Sequence, residues 1–395
     1  MISEAGHHGK DVRSDLHVAL EPRDGGGLDI NLESRVAAYY GASILAQTRE
    51  VLEDLGVRHA RVSIHDEGAL PFAIAARIET AARRAKLTTK KSLPDAIPLP
   101  PSTTKDRLRR SRLYLPGTEP KYAINAGLHG PDAIILDLED SVAPEAKSAA
   151  RMQVAHNVAA GGFGPREVVV RINGLDTEWW LDDLAAIAHA KPDAILLPKI
   201  SSPDQFEVVI ERLVSIAASH EIRLWAMMET PLAMLHAERI AAAARDTEIR
   251  LTAFVMGTND LAKDTRTKIL PGRAAMLPWL MTCIAAARAH GVDIVDGVYN
   301  DLGNAEGFAR ECAEARDLGF DGKTLIHPNQ IEPCNQAFSP TSEEVAQANK
   351  IIAAFELPEN RGKGVVALDG RMVERLHADM ARRTVAIAEA IAARS

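Results

Sequence analysis

The chain has 395 residues, of which 25% are charged and 46% hydrophobic, and its formal net charge is −8. This length allows two or three domains of about 100–200 residues each, and the composition is that of a globular protein rather than a disordered or collagen-like one. The acidic balance argues against a general nucleic-acid binder, because neutralising phosphates requires a surplus of Lys and Arg.

The three cysteines, Cys283, Cys312 and Cys334, do not have the spacing of a zinc site, and an odd number is a poor disulfide framework. Reduced thiols are therefore expected. No apolar run approaches the ~18–20 residues of a membrane span, and the first ten residues lack the apolar core of a signal peptide. We expect a cytoplasmic chain.

An N-terminal module is predicted over residues 12–86. Alternating apolar and polar positions predict half-buried strands, and Gly25-Gly26-Gly27 predicts a turn. The predicted elements are strands at 16–20, 28–32 and 60–64, a helix at 35–54, and a strand or helix at 72–85. Together they predict a small α+β fold. The segment 87–107 holds four prolines and predicts a linker.

The remainder of the chain alternates short apolar runs with Ala-rich amphipathic stretches. The runs lie at 113–115, 133–138, 168–172, 194–198, 224–228, 252–256, 294–298 and 323–326. The helical stretches lie at 144–159, 178–189, 203–219, 231–245, 271–290 and 305–318. Near-continuous apolar runs are typical of parallel strands buried on both faces. The pattern predicts an α/β fold with a (β/α)8 TIM barrel over 108–335 and a C-terminal helical extension over 336–395. A doubly wound sheet is less favoured, since no Gly-rich phosphate loop follows the first strand.

Acidic side chains recur where the predicted strands end, which is the catalytic face of such a barrel. They are Glu139, Asp140, Glu229, Asp260 and Asp301. Converging carboxylates repel one another unless a cation lies among them, and oxygen ligands without clustered His or Cys favour Mg²⁺ over zinc. Taken singly, each acid could also be a helix cap.

Three side chains that can carry a positive charge also lie at the ends of predicted strands. Arg171 is predicted to bind a substrate carboxylate through its planar fork, with a structural ion pair as the alternative. Lys199 is either structural or a Schiff-base lysine, and His327 is either a hydrogen-bonded strand-end residue or a base. Mg²⁺ beside such an arginine suits carbon–carbon cleavage giving an enolate, or phosphoryl transfer to pyruvate-like acids. Position alone leaves both open.

Residues 108–394 resemble the beta subunit of citrate lyase, within the aldolase superfamily of malyl-, citramalyl- and citryl-thioester lyases. The matching segments are RSRLYLPG (110–117), DLEDSV (137–142), RINGLDTEW (171–179), METPL (228–232), GTNDL (257–261), VYND (298–301) and GFDGKTLIHPNQI (319–331). Their order and spacing together make the resemblance specific.

The resemblance implies a role for most of these residues. Glu229 and Asp260 are the implied Mg²⁺ ligands, and Arg171 the implied substrate clamp. Arg110 is expected near the substrate carboxylate and the thioester carbonyl. Glu139 and Asp140 are implied either to contact the substrate or to support the residues that contact it, and Asp301 is implied to bind the substrate. The implied reaction is a retro-Claisen cleavage of a 3-hydroxyacyl thioester to a 2-oxo acid and an acetyl thioester. A citryl thioester is the favoured substrate, ahead of malyl and citramalyl thioesters. Hydrolysis of a malyl-type thioester on the same site, or a non-catalytic subunit that depends on partners, are the alternatives.

The N-terminal module resembles the gamma subunit of citrate lyase, its acyl carrier protein. The matching segments are SDLHV (14–18), LESRV (32–36), YGASI (40–44), DEGAL (66–70) and ARIETA (76–81). In that family a serine carrying a CoA-derived prosthetic group precedes the Ser-Asp pair, and Arg13 stands at that position here. Either Ser14 takes the group after a one-residue shift, or the domain is unmodified and the substrate is a free CoA thioester. A citrate lyase alpha-type transferase subunit is an implied partner.

The segment GRMVERL (370–376) replaces a family segment in which an aspartate followed by a proline motif serves proton transfer in a neighbouring subunit's site. Glu374 is the acid here, and the proline is missing. Glu374 is therefore either a catalytic proton-transfer residue or a solvated helix residue. If it completes a neighbour's site, the chain forms a homo-oligomer, a trimer or hexamer.

Overall fold

The computed structural model describes residues 2–94 and 107–393, so most of the predicted linker lies outside the described residues. The N-terminal part forms a four-stranded sheet of order β1-β2-β4-β3. Its elements are β1 (Ser3–Gly6), β2 (Leu16–Pro22), β3 (Leu28–Ser34), α1 (Ala37–Asp54), β4 (Ala60–Asp66) and α2 (Pro71–Arg84). The ambiguous segment 72–85 is thus a helix, which begins at a proline suited to the first helical turn. Strand β1 was not predicted, and it pairs antiparallel with β2.

Eight parallel strands close into a barrel, with β12 paired to β5, as predicted. The strands are β5 (Ser111–Pro116), β6 (Ala133–Asp137), β7 (Glu167–Arg171), β8 (Ala194–Leu197), β9 (Arg223–Met228), β10 (Leu251–Met256), β11 (Asp293–Asp296) and β12 (Gly322–Leu325). All are buried along most of their length, because each lies between the barrel interior and the surrounding helices, and most are apolar, although β12 (GKTL) is not.

The helices around the barrel follow the predicted alternation. They are α3 (Pro120–Ile124), α4 (Lys147–Ala160), α5 (Trp180–Ala190), α6 (Asp204–Ser215), α7 (Pro231–Leu235), α8 (Ala237–Ala242), α9 (Thr258–Thr265), α10 (Leu277–His290), α11 (Ala305–Leu318) and α12 (Ile331–Ala337). The predicted helix at 231–245 divides at His236, whose Nδ1 lies 2.9 Å from the carbonyl oxygen of Ser201.

The C-terminal extension is not helical throughout. A hairpin of β13 (Val365–Leu368) and β14 (Arg371–Glu374) separates α13 (Ser342–Glu356) from α14 (Arg375–Ala392). Asp369 and Gly370 both adopt positive φ in the two-residue turn, which is the Asp-Gly signal of a tight hairpin. None of the helices in the described residues is long and apolar enough to cross a membrane.

Candidate active site

A cavity of about 390 Å³ opens at the carboxyl ends of the barrel strands. Of the predicted strand-end residues, Asp140, Asp260 and Arg171 contribute to its wall, together with apolar side chains from the barrel interior, whereas buried Glu139 and Glu229 are not among the lining residues. The lining includes Tyr114, Pro116, Asp137, Asp140, Arg171, Met227, Gly257, Asp260, Asn300 and Thr324. The strand ends therefore converge as the sequence predicted.

Arg171 is fixed at the end of β7 by Asp137, which ends the neighbouring strand β6. Its Nε and Nη2 donate to the two carboxylate oxygens of Asp137 over 2.7 and 2.8 Å. Burial alone would raise the pKa of Asp137, but the Arg171 charge and hydrogen bonds hold that pKa below its usual value. The guanidinium also lies over the Tyr114 ring, 5.0 Å from the ring centroid. The sequence places Asp137 at the end of a predicted strand, but it was not predicted to hold Arg171.

Two further acids face the outer edge of Arg171. Its Nη1 lies 2.8 Å from Oε2 of Glu139 and 3.4 Å from Oδ2 of Asp140. Glu139 is buried, whereas the Asp140 side chain is 55% exposed. Nζ of Lys199 donates to Oε1 of Glu139 over 2.9 Å. Glu139 therefore has two cationic partners, Arg171 and Lys199.

Glu229, which follows β9, is 1% exposed, and in the described part of the chain only one of its two carboxylate oxygens accepts a hydrogen bond. Its Oε1 accepts the backbone N–H of Lys199 over 2.7 Å, whereas Oε2 has no hydrogen-bond partner among the described residues. Burial, and next the charge of Glu139, raises the pKa of Glu229 to about 8, and Asp260 contributes to the same effect. A Cβ at Gly257 would overlap the Glu229 side chain, so the glycine leaves the space that this carboxylate fills.

These features fit a divalent cation. A buried carboxylate oxygen without a donor, repelled by a second carboxylate, gains most from a positive ion. Among the described residues no cluster of three or more His, Cys, Asp or Glu side chains forms a complete ligand set. Mg²⁺ is commonly held by one or two carboxylates together with water and substrate oxygens, which matches the pair Glu229 and Asp260.

Two predicted site residues lie elsewhere. Arg110 precedes β5 and is therefore at the amino end of the barrel strands, opposite the cavity. Its Nε and Nη2 pair with Asp132 over 2.9 and 3.0 Å, and Nη1 donates to Ser339 over 2.9 Å. Arg110 is thus a structural residue, and its assignment to the substrate was wrong. Asp301 is exposed, and its carboxylate accepts the N–H of Gly303 over 3.2 Å; Asn300 lines the cavity in its place.

The remaining candidates are outside this chain's own cavity. Glu374 is exposed at the junction of β14 and α14, and its N–H donates to Nδ1 of His377 over 2.9 Å. Ser14 is half-buried with a φ of 56°, and its N–H donates to the Glu67 carbonyl over 3.0 Å. His327 accepts the N–H of Asn329 at Nδ1 over 3.1 Å, in agreement with the hydrogen-bonded alternative.

Residues 110–328 match the HpcH/HpaI aldolase/citrate lyase family. The chain belongs to this family. Residues 4–85 match an acyl-carrier family described as malonate decarboxylase delta subunit. The carrier-like resemblance is thereby confirmed, although this family is named for a different enzyme from citrate lyase.

Two groups of curated relatives cover the barrel and its extension. The (3S)-malyl-CoA thioesterase of Cereibacter sphaeroides is 49% identical over 284 residues, covering 72% of this chain and 96% of the relative. The citrate lyase subunit beta of Escherichia coli is 35% identical over 290 residues, covering 72% of this chain and 95% of the relative. Among solved structures, CitE of Mycobacterium tuberculosis in complex with magnesium, acetoacetate and coenzyme A is 28% identical. It covers 71% of this chain and 97% of its own, with a TM-score of 0.58.

Proposed function

We propose that the chain is a Mg²⁺-dependent enzyme that acts on a 3-hydroxyacyl thioester of the malyl, citramalyl or citryl type. The observation that carries the proposal is the unpartnered Oε2 of buried Glu229, which follows β9 at the barrel end where Asp260 and Arg171 line the cavity. The magnesium in the related CitE structure supports it. Glu229 and Asp260 would hold the ion, which supplies Lewis-acid stabilisation of negative charge on the substrate oxygens.

Arg171 is suited to bind the substrate carboxylate. Because Asp137 occupies one edge of its guanidinium, only the edge facing Glu139 and Asp140 remains for a ligand. The contact with Asp140 is long and exposed, so a substrate carboxylate would replace it at little cost. The pairing with Asp137 fixes the guanidinium before substrate binds, and such preorganisation lowers the entropic cost of binding the carboxylate.

Carbon–carbon cleavage and thioester hydrolysis both fit this site. Cleavage of malyl-, citramalyl- or citryl-CoA yields glyoxylate, pyruvate or oxaloacetate together with acetyl-CoA. The 49% identity to malyl-CoA thioesterases, against 35% to a citrate lyase beta subunit, favours a malyl-type substrate over the citryl one first expected. It also makes hydrolysis to malate and free CoA the second candidate.

One assay tests both candidates. The full chain is incubated with Mg²⁺ and each of the three CoA thioesters, and the 2-oxo acid, acetyl-CoA and free CoA are quantified. Equal amounts of 2-oxo acid and acetyl-CoA support the lyase, whereas free CoA with malate supports the thioesterase. Absence of turnover of all three thioesters, by protein that binds Mg²⁺, would reject the proposed reaction.

A homo-oligomer is part of the proposal. Exposed apolar side chains lie near Glu374 in the sequence, namely Met372, Leu376 and Met380, at 74%, 53% and 64% exposure. Exposed apolar side chains next to an exposed acid are consistent with a contact that brings Glu374 to another copy's cavity. Light scattering is expected to give a trimer or hexamer, and a monomer that is fully active would contradict the role of Glu374.

A further inference from the structure

Helix α2 of the carrier-like part is buried on all sides. Each residue from 73 to 82 is buried, and the helix lies between its own sheet and helix α4 of the barrel. Ile74 and Ile78 belong to the apolar core of the N-terminal part, whereas Ala76 belongs to the core of the barrel. Separating the two parts would therefore expose one flank of α2 to water.

A buried polar contact also lies in the interface between α2 and α4. Oε2 of Glu79 lies 2.9 Å from Nε2 of His156 on α4, and the two side chains are 0% and 1% exposed. Burial opposes the charge of Glu79, yet the His156 contact and further hydrogen bonds from Arg83 and Ser92 lower its pKa to about 2. The pair fixes how the two helices meet, because a shift of either helix within the closed interface would leave the other side chain buried without its partner.

Arg77 extends from the same helix to the rim of the active site. Its Nε and Nη2 each donate to Asp15 over 2.9 Å. Nη2 also donates to the carbonyl oxygen of Thr118 over 3.0 Å. Thr118 lies two residues beyond Pro116, which lines the cavity. One guanidinium thus links the carrier-like sheet to the loop that follows β5.

That loop is packed directly on the residue that fixes Arg171. The N–H of Gly117 donates to the Asp137 carbonyl oxygen over 2.9 Å. A Cβ at Gly117 would lie only 2.7 Å from the same oxygen, so the two backbones are in close contact. Since the Asp137 carboxylate holds Arg171, contacts run without a gap from Arg77 through Thr118 and Gly117 to the substrate clamp.

We propose that the carrier-like part is a fixed domain rather than a mobile acyl carrier, and that Arg77 is a positioning residue for Arg171. This inference rests on the proposed function, because it assigns Arg171 to substrate binding. It also deepens that function: a domain held against the barrel does not shuttle an acyl group, so the thioester arrives as a separate, diffusing molecule.

Hydrogen exchange on the full chain tests the fixed domain without any activity. If the domain is fixed, amides of α2 exchange as slowly as those of α4, since both open only when the interface opens. Exchange of α2 at a rate about a hundredfold above that of α4 would overturn the proposal, since it would show independent opening. This result stands whether or not the thioester assay succeeds.

The variant Arg77→Lys tests the positioning role. Lysine keeps a cation beside Asp15 but lacks the planar fork that reaches both Asp15 and Thr118. We expect KM to rise about tenfold with kcat nearly unchanged, because the affected interaction binds the carboxylate in ground and transition states alike. Arg84→Lys is the matched control, since Arg84 ends the same helix but, within the described part of the chain, donates to the carbonyls of Glu4 and Glu145 and not to Thr118.

The two variants separate the outcomes. A raised KM in Arg77→Lys alone, with an unfolding temperature like that of Arg84→Lys, supports the positioning role. An unchanged KM, or equal effects in both variants, overturns it. If none of the thioesters is turned over, the dissociation constant for oxaloacetate in the presence of Mg²⁺ replaces KM as the readout.

Discussion

The backbone N–H of Lys199 donates to Oε1 of Glu229 over 2.7 Å. The same residue donates from its ammonium to Glu139, the acid whose charge most strongly opposes ionisation of Glu229 after burial. Lys199 does this with a φ of 54°, a left-handed conformation that is unfavourable for a residue with a Cβ. One strained residue therefore both orients Glu229 and reduces the repulsion that it experiences.

Replacing the ammonium of Lys199 is expected to weaken the site. In Lys199→Met the backbone contact to Glu229 remains, but Glu139 loses one of its two cations, so we expect kcat/KM to fall about tenfold. Lys191→Met is the control, because Lys191 is an exposed lysine with a φ of 57° at the end of α5. Equal activity in the two variants would contradict the role of the ammonium.

Glu229→Gln is expected to abolish Mg²⁺ binding and to lower activity about a hundredfold or more, since a neutral amide is a weak ligand for this cation. The fold should persist, because glutamine has nearly the same shape and avoids a buried charge. Calorimetric Mg²⁺ titration and the thioester assay measure both effects. Glu221→Gln, at an exposed position before β9, serves as control. Full activity of Glu229→Gln would reject the metal assignment.

Mg²⁺ binding is expected to depend on pH. The pKa of Glu229 is raised to about 8 by burial first and the charge of Glu139 second, and a carboxylate must lose its proton to bind the ion. The apparent affinity should therefore rise about tenfold per pH unit below that pKa and level off above it. Calorimetry in buffers of different ionisation enthalpy counts the released proton, and a pH-independent affinity would contradict the prediction.

The stability of the metal-free protein should change in the opposite direction. Because the folded pKa of Glu229 lies above the ordinary 4.5, the unfolded chain loses this proton first as the pH rises. The free energy of unfolding therefore falls between about pH 4.5 and pH 8 through this group. In Glu229→Gln this contribution should be missing, so chemical denaturation of both proteins at several pH values provides the test.

Gly257→Ala is expected to disturb the site without straining the backbone. Gly257 has a negative φ of −99°, but its new methyl group would meet the Glu229 side chain. Displacing a buried side chain in this way costs about 1–3 kcal/mol, and Mg²⁺ affinity should fall with it. Gly364→Ala, where nothing lies within 4 Å of the added methyl, should leave both the melting temperature and the affinity unchanged.

The barrel was predictable because most of its parallel strands contain short apolar runs that alternate with helical stretches, and the cavity because strand ends converge in such a fold. The same rule could have corrected Arg110: it precedes the first barrel strand and so belongs to the opposite face. The hairpin in the C-terminal extension also had a signal, the Asp369-Gly370 pair, that was read as part of a helical tail.

The pairings within the site could not be predicted. Asp137 and Arg171 both end strands, but their positions in the sequence do not show which strand-end acid accepts the hydrogen bonds of the Arg171 guanidinium. The contact of Lys199 with Glu229 uses a backbone N–H, which every residue except proline carries. Such contacts depend on the register between adjacent strands, and this register cannot be read from the sequence of either strand.

Because helix α2 contributes to two apolar cores, the two parts of the chain share one cooperative unit. Calorimetry should record a single transition in place of two. Cutting the polypeptide between them would expose an apolar surface on each half to water. Neither half on its own is therefore a dependable starting point for crystallisation, engineering or assay.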